Sequence, residues 1–222
     1  MRLGLIVPSS NTVMEVDFYR NLSREITLHT ARMHLRETTV SGEEAMLDRY
    51  LPQAITDIAS LNPDVAVFGC TSAGALRGNA YDDIIISRMS TECRAPAVSV
   101  IGSVRRVLAG LGVRTVGVIT PYIDQLNQRI KKSLEDDGLV VDFIEGMGID
   151  DNFRIAAVQA EEIVRFGVEK SSGRKIDCLF ISCTNFRGLD ARQEIQERLG
   201  LPVVTSNQAA LERAIRLLED IA

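Results

Sequence analysis

Short runs of Val, Ile and Leu alternate along this chain with longer stretches whose apolar residues recur at helical spacing. That alternation predicts an α/β protein, a parallel sheet covered by helices on both faces. Strands are expected near 2 to 7, 26 to 33, 64 to 69 and 97 to 100, with helices near 12 to 22, 42 to 60, 79 to 92 and 102 to 111. The order then starts again. Strands follow near 114 to 119, 140 to 145, 176 to 182 and 202 to 205, and helices near 122 to 137, 151 to 170, 189 to 199 and 206 to 220.

The restart is a duplication. Gly4-Leu5-Ile6-Val7-Pro8 is echoed 113 residues later by Gly117-Val118-Ile119-Thr120-Pro121, and Val65-Ala66-Val67-Phe68-Gly69-Cys70-Thr71 at the same offset by Cys178-Leu179-Phe180-Ile181-Ser182-Cys183-Thr184. A third echo, Ala95-Pro96-Ala97-Val98-Ser99 against Leu201-Pro202-Val203-Val204-Thr205, has an offset of 106, so the second half has lost residues after its cysteine. No Pro/Gly-rich linker divides the halves; Leu111-Gly112-Val113-Arg114 is a helix stop followed by a strand start. The expected organisation is therefore residues 1–112 and 113–222, each a small doubly wound half, with the last helix able to cross back. Ligands of such sheets bind beyond the carboxyl ends of strands. Both Cys-Thr phrases fall at such ends, which places the expected site in the cleft between the halves.

At 222 residues, 45% hydrophobic and 25% charged, the chain can bury a sizeable core. Its net charge of −5 is modest and its Lys and Arg are scattered, which argues against nucleic acid or an anionic membrane as a partner. No apolar stretch approaches the roughly 20 residues of a membrane span. Met1-Arg2-Leu3 runs straight into the first strand, so a cytoplasmic protein without signal peptide is expected. In that reducing compartment Cys70, Cys93, Cys178 and Cys183 read as free thiols.

Cys70 and Cys183 are the leading candidates for chemistry. A thiol acts as nucleophile or base only as thiolate, which nearby amides and a helix start favour. Thr71-Ser72-Ala73-Gly74 and Thr184-Asn185-Phe186-Arg187-Gly188 are small, polar segments suited to presenting such donors to an anion. A lone cysteine ending a buried strand is as readily a small hydrophobe; two at equivalent positions of a repeat favour function. Cys93 and Cys178 have no counterpart in the repeat and are read as structural. Ser9-Ser10-Asn11-Thr12 supplies an N-cap and reads further as a ligand cradle, and Pro121-Tyr122 puts a phenol at the equivalent place. The only histidines, His29 and His34, share one strand of the first half, which disfavours a Cys-His hydrolase. No Walker loop, Rossmann glycine pattern, His-Glu-x-x-His or close Cys/His cluster occurs, so neither cofactor nor metal is expected. The Ile84-Ile85-Ile86 run could line a pocket or form a subunit contact.

Taken together, Pro8-Ser9-Ser10-Asn11-Thr12, Gly69-Cys70-Thr71-Ser72, Thr120-Pro121-Tyr122, Ile181-Ser182-Cys183-Thr184 and Pro202-Val203-Val204 resemble the Asp/Glu racemase superfamily. The likeness is narrower to its branch of maleate cis-trans isomerases and arylmalonate decarboxylases. It implies two flavodoxin-like halves, no cofactor, a small carboxylate or dicarboxylate substrate and a homo-oligomer. Resemblance to the maleate isomerases implies that Cys70 adds to a double bond while Cys183 serves as acid and base, with Asn11, Tyr122 and Asn152 holding carboxylates. Resemblance to the decarboxylases implies a pocket of uncharged donors around Thr71, Ser72, Tyr122 and Thr184; those enzymes carry Gly where this chain has Cys70. The leading expectation is maleate to fumarate isomerisation, with Ser9, Ser10, Asn11, Thr71, Ser72, Tyr122, Asn152, Thr184 and Asn185 as anion-binding donors. Decarboxylation, amino-acid racemisation and non-catalytic dicarboxylate binding are the alternatives.

Overall fold

The computed structural model describes residues 1–221. Among them, β1 (Arg2–Pro8), β2 (Thr27–Met33), β3 (Val65–Phe68) and β4 (Ala97–Ser99) form one parallel sheet in the order β2-β1-β3-β4. A second parallel sheet contains β5 (Thr115–Thr120), β6 (Val140–Gly146), β7 (Cys178–Ile181) and β8 (Val203–Thr205) in the order β6-β5-β7-β8. The order is the same, and so is the register of the first and third strands, with Leu3 opposite Val65 and Val116 opposite Cys178, whereas β5 slips by one residue against β6 between Val116 and Gly117. One further pair ties the repeats together. The Asp64 carboxylate accepts the Arg2 N–H at 2.6 Å, and Asp177 accepts the Thr115 N–H at 2.8 Å, so each third strand is locked to the start of its neighbour. The central strands β1, β3, β5 and β7 are buried on both faces, as their apolar runs require.

The helices are α1 (Met14–Asn21), α2 (Val40–Ala45), α3 (Leu51–Ser60), α4 (Thr71–Leu76), α5 (Asn79–Cys93), α6 (Val100–Gly110), α7 (Asp124–Glu135), α8 (Asn152–Ala157), α9 (Ala160–Ser171), α10 (Gly188–Leu199) and α11 (Ser206–Glu219). Three features depart from the expected elements. The helix expected over 42 to 60 passes through a π-helical segment, Met46–Tyr50, where the Leu51 N–H reaches the carbonyl of Met46 five residues back. The segment ends just before Pro52, which has no N–H to donate to the preceding turn and whose ring crowds the carbonyl four residues before it. The helix expected over 151 to 170 is broken by extended backbone at Val158 and Gln159. Its loose carbonyls are taken up by side chains, Ala156 by Arg187 at 3.2 Å and Ala157 by Gln159 at 2.7 Å. Finally, α4 is an additional helix, buried on all sides and therefore without an amphipathic period to reveal it.

The two sheets meet along the ends that carry the Cys-Thr phrases. The last helix, α11, packs on α6 and against β3 and β4. Elsewhere on the seam α4 packs on α7, and Asn79 Nδ2 donates to the Ser133 backbone carbonyl while the Ser133 hydroxyl donates to Asn79 Oδ1. Among the described residues no helix is long and apolar enough to cross a membrane.

Candidate active site

A narrow cavity lies between the sheets, bounded by Pro8 and Asn11 from the end of β1, Leu35, Thr38 and Glu43 from the β2–α2 region, Cys70 and Ser72 at the start of α4, Tyr122 beyond β5, Asn152 at the head of α8, and Cys183, Thr184 and Asn185 beyond β7. Both repeat cysteines thus face one space, each delivered by the third strand of its half. Cys70 is the residue before α4, and Gly69 ahead of it runs so close to β1 that a Cβ there would stand 2.8 Å from the Ile6 carbonyl oxygen. Only glycine permits that approach. Cys183 is held differently, with φ +121°, an uncommon torsion for a residue with a side chain. Its N–H donates to Ser206 Oγ at 3.0 Å, and Thr71 Oγ1 donates to the same hydroxyl at 2.9 Å, so the start of α11 fixes both cysteine loops.

The thiols are unequal. Burial and then the neighbouring Glu43 carboxyl hold Cys70 well above its ordinary value, against hydrogen bonding from the Ala73 amide. Burial pushes Cys183 up to about 12, opposed by the Tyr122 hydroxyl and the Asn185 amide, whose N–H lies 3.3 Å from Sγ. The Tyr122 phenol is itself raised well above its usual value, by burial and then by the two cysteines.

The expected donors divide into two groups. Asn11, Ser72, Tyr122, Asn152, Thr184 and Asn185 line the cavity. Two bonds cross-link the halves, Asn11 Nδ2 donating to Thr184 Oγ1 at 3.0 Å and Thr184 Oγ1 to the Gly69 carbonyl at 3.2 Å, and within the second half Asn185 Nδ2 donates to the Asn152 carbonyl at 2.6 Å. Ser9, Ser10 and Thr71 stand behind this lining. Ser10 donates to the Leu35 carbonyl at 2.5 Å and accepts from Asn152 Nδ2 at 2.8 Å, while Ser9 Oγ accepts the Leu35 N–H at 3.1 Å. The Ile84–Ile86 stretch lies away from the cavity, with Ile84 exposed and Ile85 in the core.

Glu43 went unnoticed in the sequence, although it is fully buried and its Oε1 accepts a hydrogen bond from the Ser72 hydroxyl. Its signal was its phase. Positions 43, 46, 47, 51, 54, 55 and 58 form one buried stripe, in which Glu43 is the only charged residue. Ser206 and Asn207 were missed as well; Asn207 Nδ2 links Asp17 Oδ2 at 2.7 Å to the Thr184 carbonyl at 3.1 Å.

These features define a duplicated α/β protein with paired thiols in the cleft between its halves. The family model of arylmalonate decarboxylase matches residues 3–221, and the chain belongs to that family. It is 25% identical to the maleate isomerase of Alcaligenes faecalis over 219 residues, 92% of this chain and 86% of that one. It is 28% identical over 216 residues to the arylmalonate decarboxylase of Bordetella bronchiseptica, 97% of this chain and 89% of that one. The fold matches the crystal structure of the maleate isomerase Iso from Pseudomonas putida S16 with a TM-score of 0.91 at 23% identity, over 99% of this chain and 93% of that one.

Proposed function

We propose that this chain is a cofactor-independent isomerase of a small dicarboxylate, converting maleate to fumarate with Cys70 as nucleophile and Cys183 as acid and base. The observation that carries the reading is the pair of buried thiols lining one cavity, in a chain related to maleate isomerases. Cys70 as thiolate forms a C–S bond to one alkene carbon, and the displaced π electrons at the other carbon take the proton of Cys183. Rotation about the new single bond follows. Cys183 then removes a proton, the C–S bond breaks, and the trans alkene leaves. Asn11, Tyr122, Asn152, Thr184 and Asn185 are the uncharged donors available to the carboxylates and to the charge that develops during addition.

A second reading, decarboxylation of a substituted malonate through Cys183 alone, is favoured by the 28% identity to a decarboxylase and by the Ser72, Tyr122 and Thr184 donors. A thiol at position 70 has no task in that reaction. The test is proton NMR of the reduced protein with maleate in heavy water. Fumarate is expected with the intact chain and not with Cys70→Ala or Cys183→Ala; unchanged maleate, with carbon dioxide released from a substituted malonate even by Cys70→Gly, would establish the lyase instead.

A further inference from the structure

We propose that Glu43 receives the proton of Cys70 through the Ser72 hydroxyl, so that a thiol, a hydroxyl and a carboxylate in series generate the nucleophile. The proposal rests on the two-thiol reading above and supplies what it lacks, a base. Addition requires a thiolate, yet both thiols are held above their ordinary values. Neither histidine can help: the His29 ring hydrogen-bonds Thr27 Oγ1 at 2.9 Å, and His34 packs against Tyr50 with ring centroids 5.4 Å apart. Among the described residues no Lys, Arg or His lines the cavity.

The geometry supplies a continuous path. Cys70 Sγ lies 3.9 Å from Ser72 Oγ, and the Ser72 hydroxyl donates to Glu43 Oε1. Because that hydroxyl proton is committed to the carboxylate, the thiol is the donor in the sulfur contact. The step balances without another reactant: the S–H proton passes to Ser72 Oγ as the Ser72 proton passes to Glu43, leaving a thiolate and a neutral carboxyl. Departure of the product reverses it. Glu43 Oε2 has no hydrogen-bond partner and is buried. An apolar residue would serve this core position better, so a stability cost is retained beside the reacting sulfur.

The groups facing Glu43 are Cys70 and Ser72 at the start of α4, Tyr122 beyond β5 and Cys183 beyond β7, with no cation to offset its charge. Burial pushes its carboxyl up to about 8, against the Ser72 hydrogen bond. Above that pH Glu43 is therefore the carboxylate that the relay needs.

Peptide-resolved alkylation of Cys70 by iodoacetamide from pH 6 to 10, with the intact protein, Glu43→Gln and Ser72→Ala, tests the relay. The intact protein is expected to react with an inflection near pH 8. Both variants are expected to react at least about tenfold more slowly at pH 8, the inflection moving upward, and kcat for maleate is expected to fall in Glu43→Gln with KM little changed. A carboxylate acting only as a nearby negative charge gives the opposite sign, since its removal would ease Cys70 ionisation and speed alkylation; faster or unchanged reaction overturns the relay. The alkylation needs no substrate. A relay that responds in a protein inert to maleate would therefore overturn the isomerase reading and leave this one standing.

Discussion

The torsion of +121° at Cys183 places about 1–3 kcal/mol of backbone strain on one thiol of the pair, whereas Cys70 at φ −141° carries none. The strain is held by the Ser206 hydroxyl accepting the Cys183 N–H and by the Asn185 amide reaching back to its sulfur. Two variants isolate it. Cys183→Ala removes the thiol and keeps the crowded Cβ, while Cys183→Gly removes both. Urea unfolding is expected to find the glycine variant more stable than the alanine variant by about 1 kcal/mol, with both inactive; a less stable glycine variant would show that the torsion costs nothing. At this scale the sequence marked the cysteines because each occurs twice at one offset. It did not mark Glu43, since an acidic residue in the first turn behind a Thr39 cap reads as an ordinary complement to the helix dipole. Ser9 and Ser10 were read as a ligand cradle because any polar run at a strand end can face a ligand or brace a loop. Here their hydroxyls brace the backbone of Leu35.

Among elements, the strands and their places along the chain were legible from apolar runs and from the repeat offsets, whereas their order within each sheet comes from the structure. The helices were less so, because breaks depend on what the freed carbonyls meet. At the Val158–Gln159 interruption the Arg187 and Gln159 side chains donate to the freed carbonyls of Ala156 and Ala157 and so cap the end of α8. At the other end of this short helix the cap, Asp151, accepts the Phe153 N–H at 2.8 Å, and Asn152 as first helical residue lines the cleft. The head of α11 has a comparable duty toward both cysteine loops. Ser206→Ala leaves the Cys183 amide and the Thr71 hydroxyl without their shared acceptor, and an unsatisfied buried donor costs about 1–3 kcal/mol. A lowered urea midpoint and a reduced kcat are expected together, because Thr205 still caps the helix by accepting the Gln208 N–H and the element itself persists. Full activity in a destabilised variant would confine Ser206 to folding.

For the molecule as a whole, three carboxyls are raised by burial: Asp17 to about 6, Asp82 to about 7 and Glu43 to about 8. Unfolded, they titrate near their ordinary values of about 4, so between pH 4 and 8 the native state keeps protons that the unfolded chain has released. Stability then falls as pH rises through this window, and thermal unfolding is expected at lower temperature at pH 9 than at pH 6, with Glu43→Gln flattening the upper part of the slope. A flat or rising profile would mean that the carboxyls are solvated in the native state. The same closure that buries Glu43 also limits entry. The space left for the centre of a water-sized sphere is about 10 Å³, the room of roughly one water. Over it, loops from opposite halves are joined by the Thr38 N–H donating to the Asp150 carbonyl at 2.6 Å and by a bridge between Glu37 and Asp151. A four-carbon diacid is larger than that space. Opening these loop contacts disturbs neither sheet and breaks only a few backbone hydrogen bonds, each worth about 1 kcal/mol net, so the closed cleft can admit its substrate by local opening. Amide exchange at Thr38 is therefore expected to slow at least about tenfold when Cys70→Ala is saturated with maleate, while Leu5 and Val118 in the sheet cores are unchanged. Exchange at Thr38 indifferent to a bound diacid would place the entrance elsewhere on the seam.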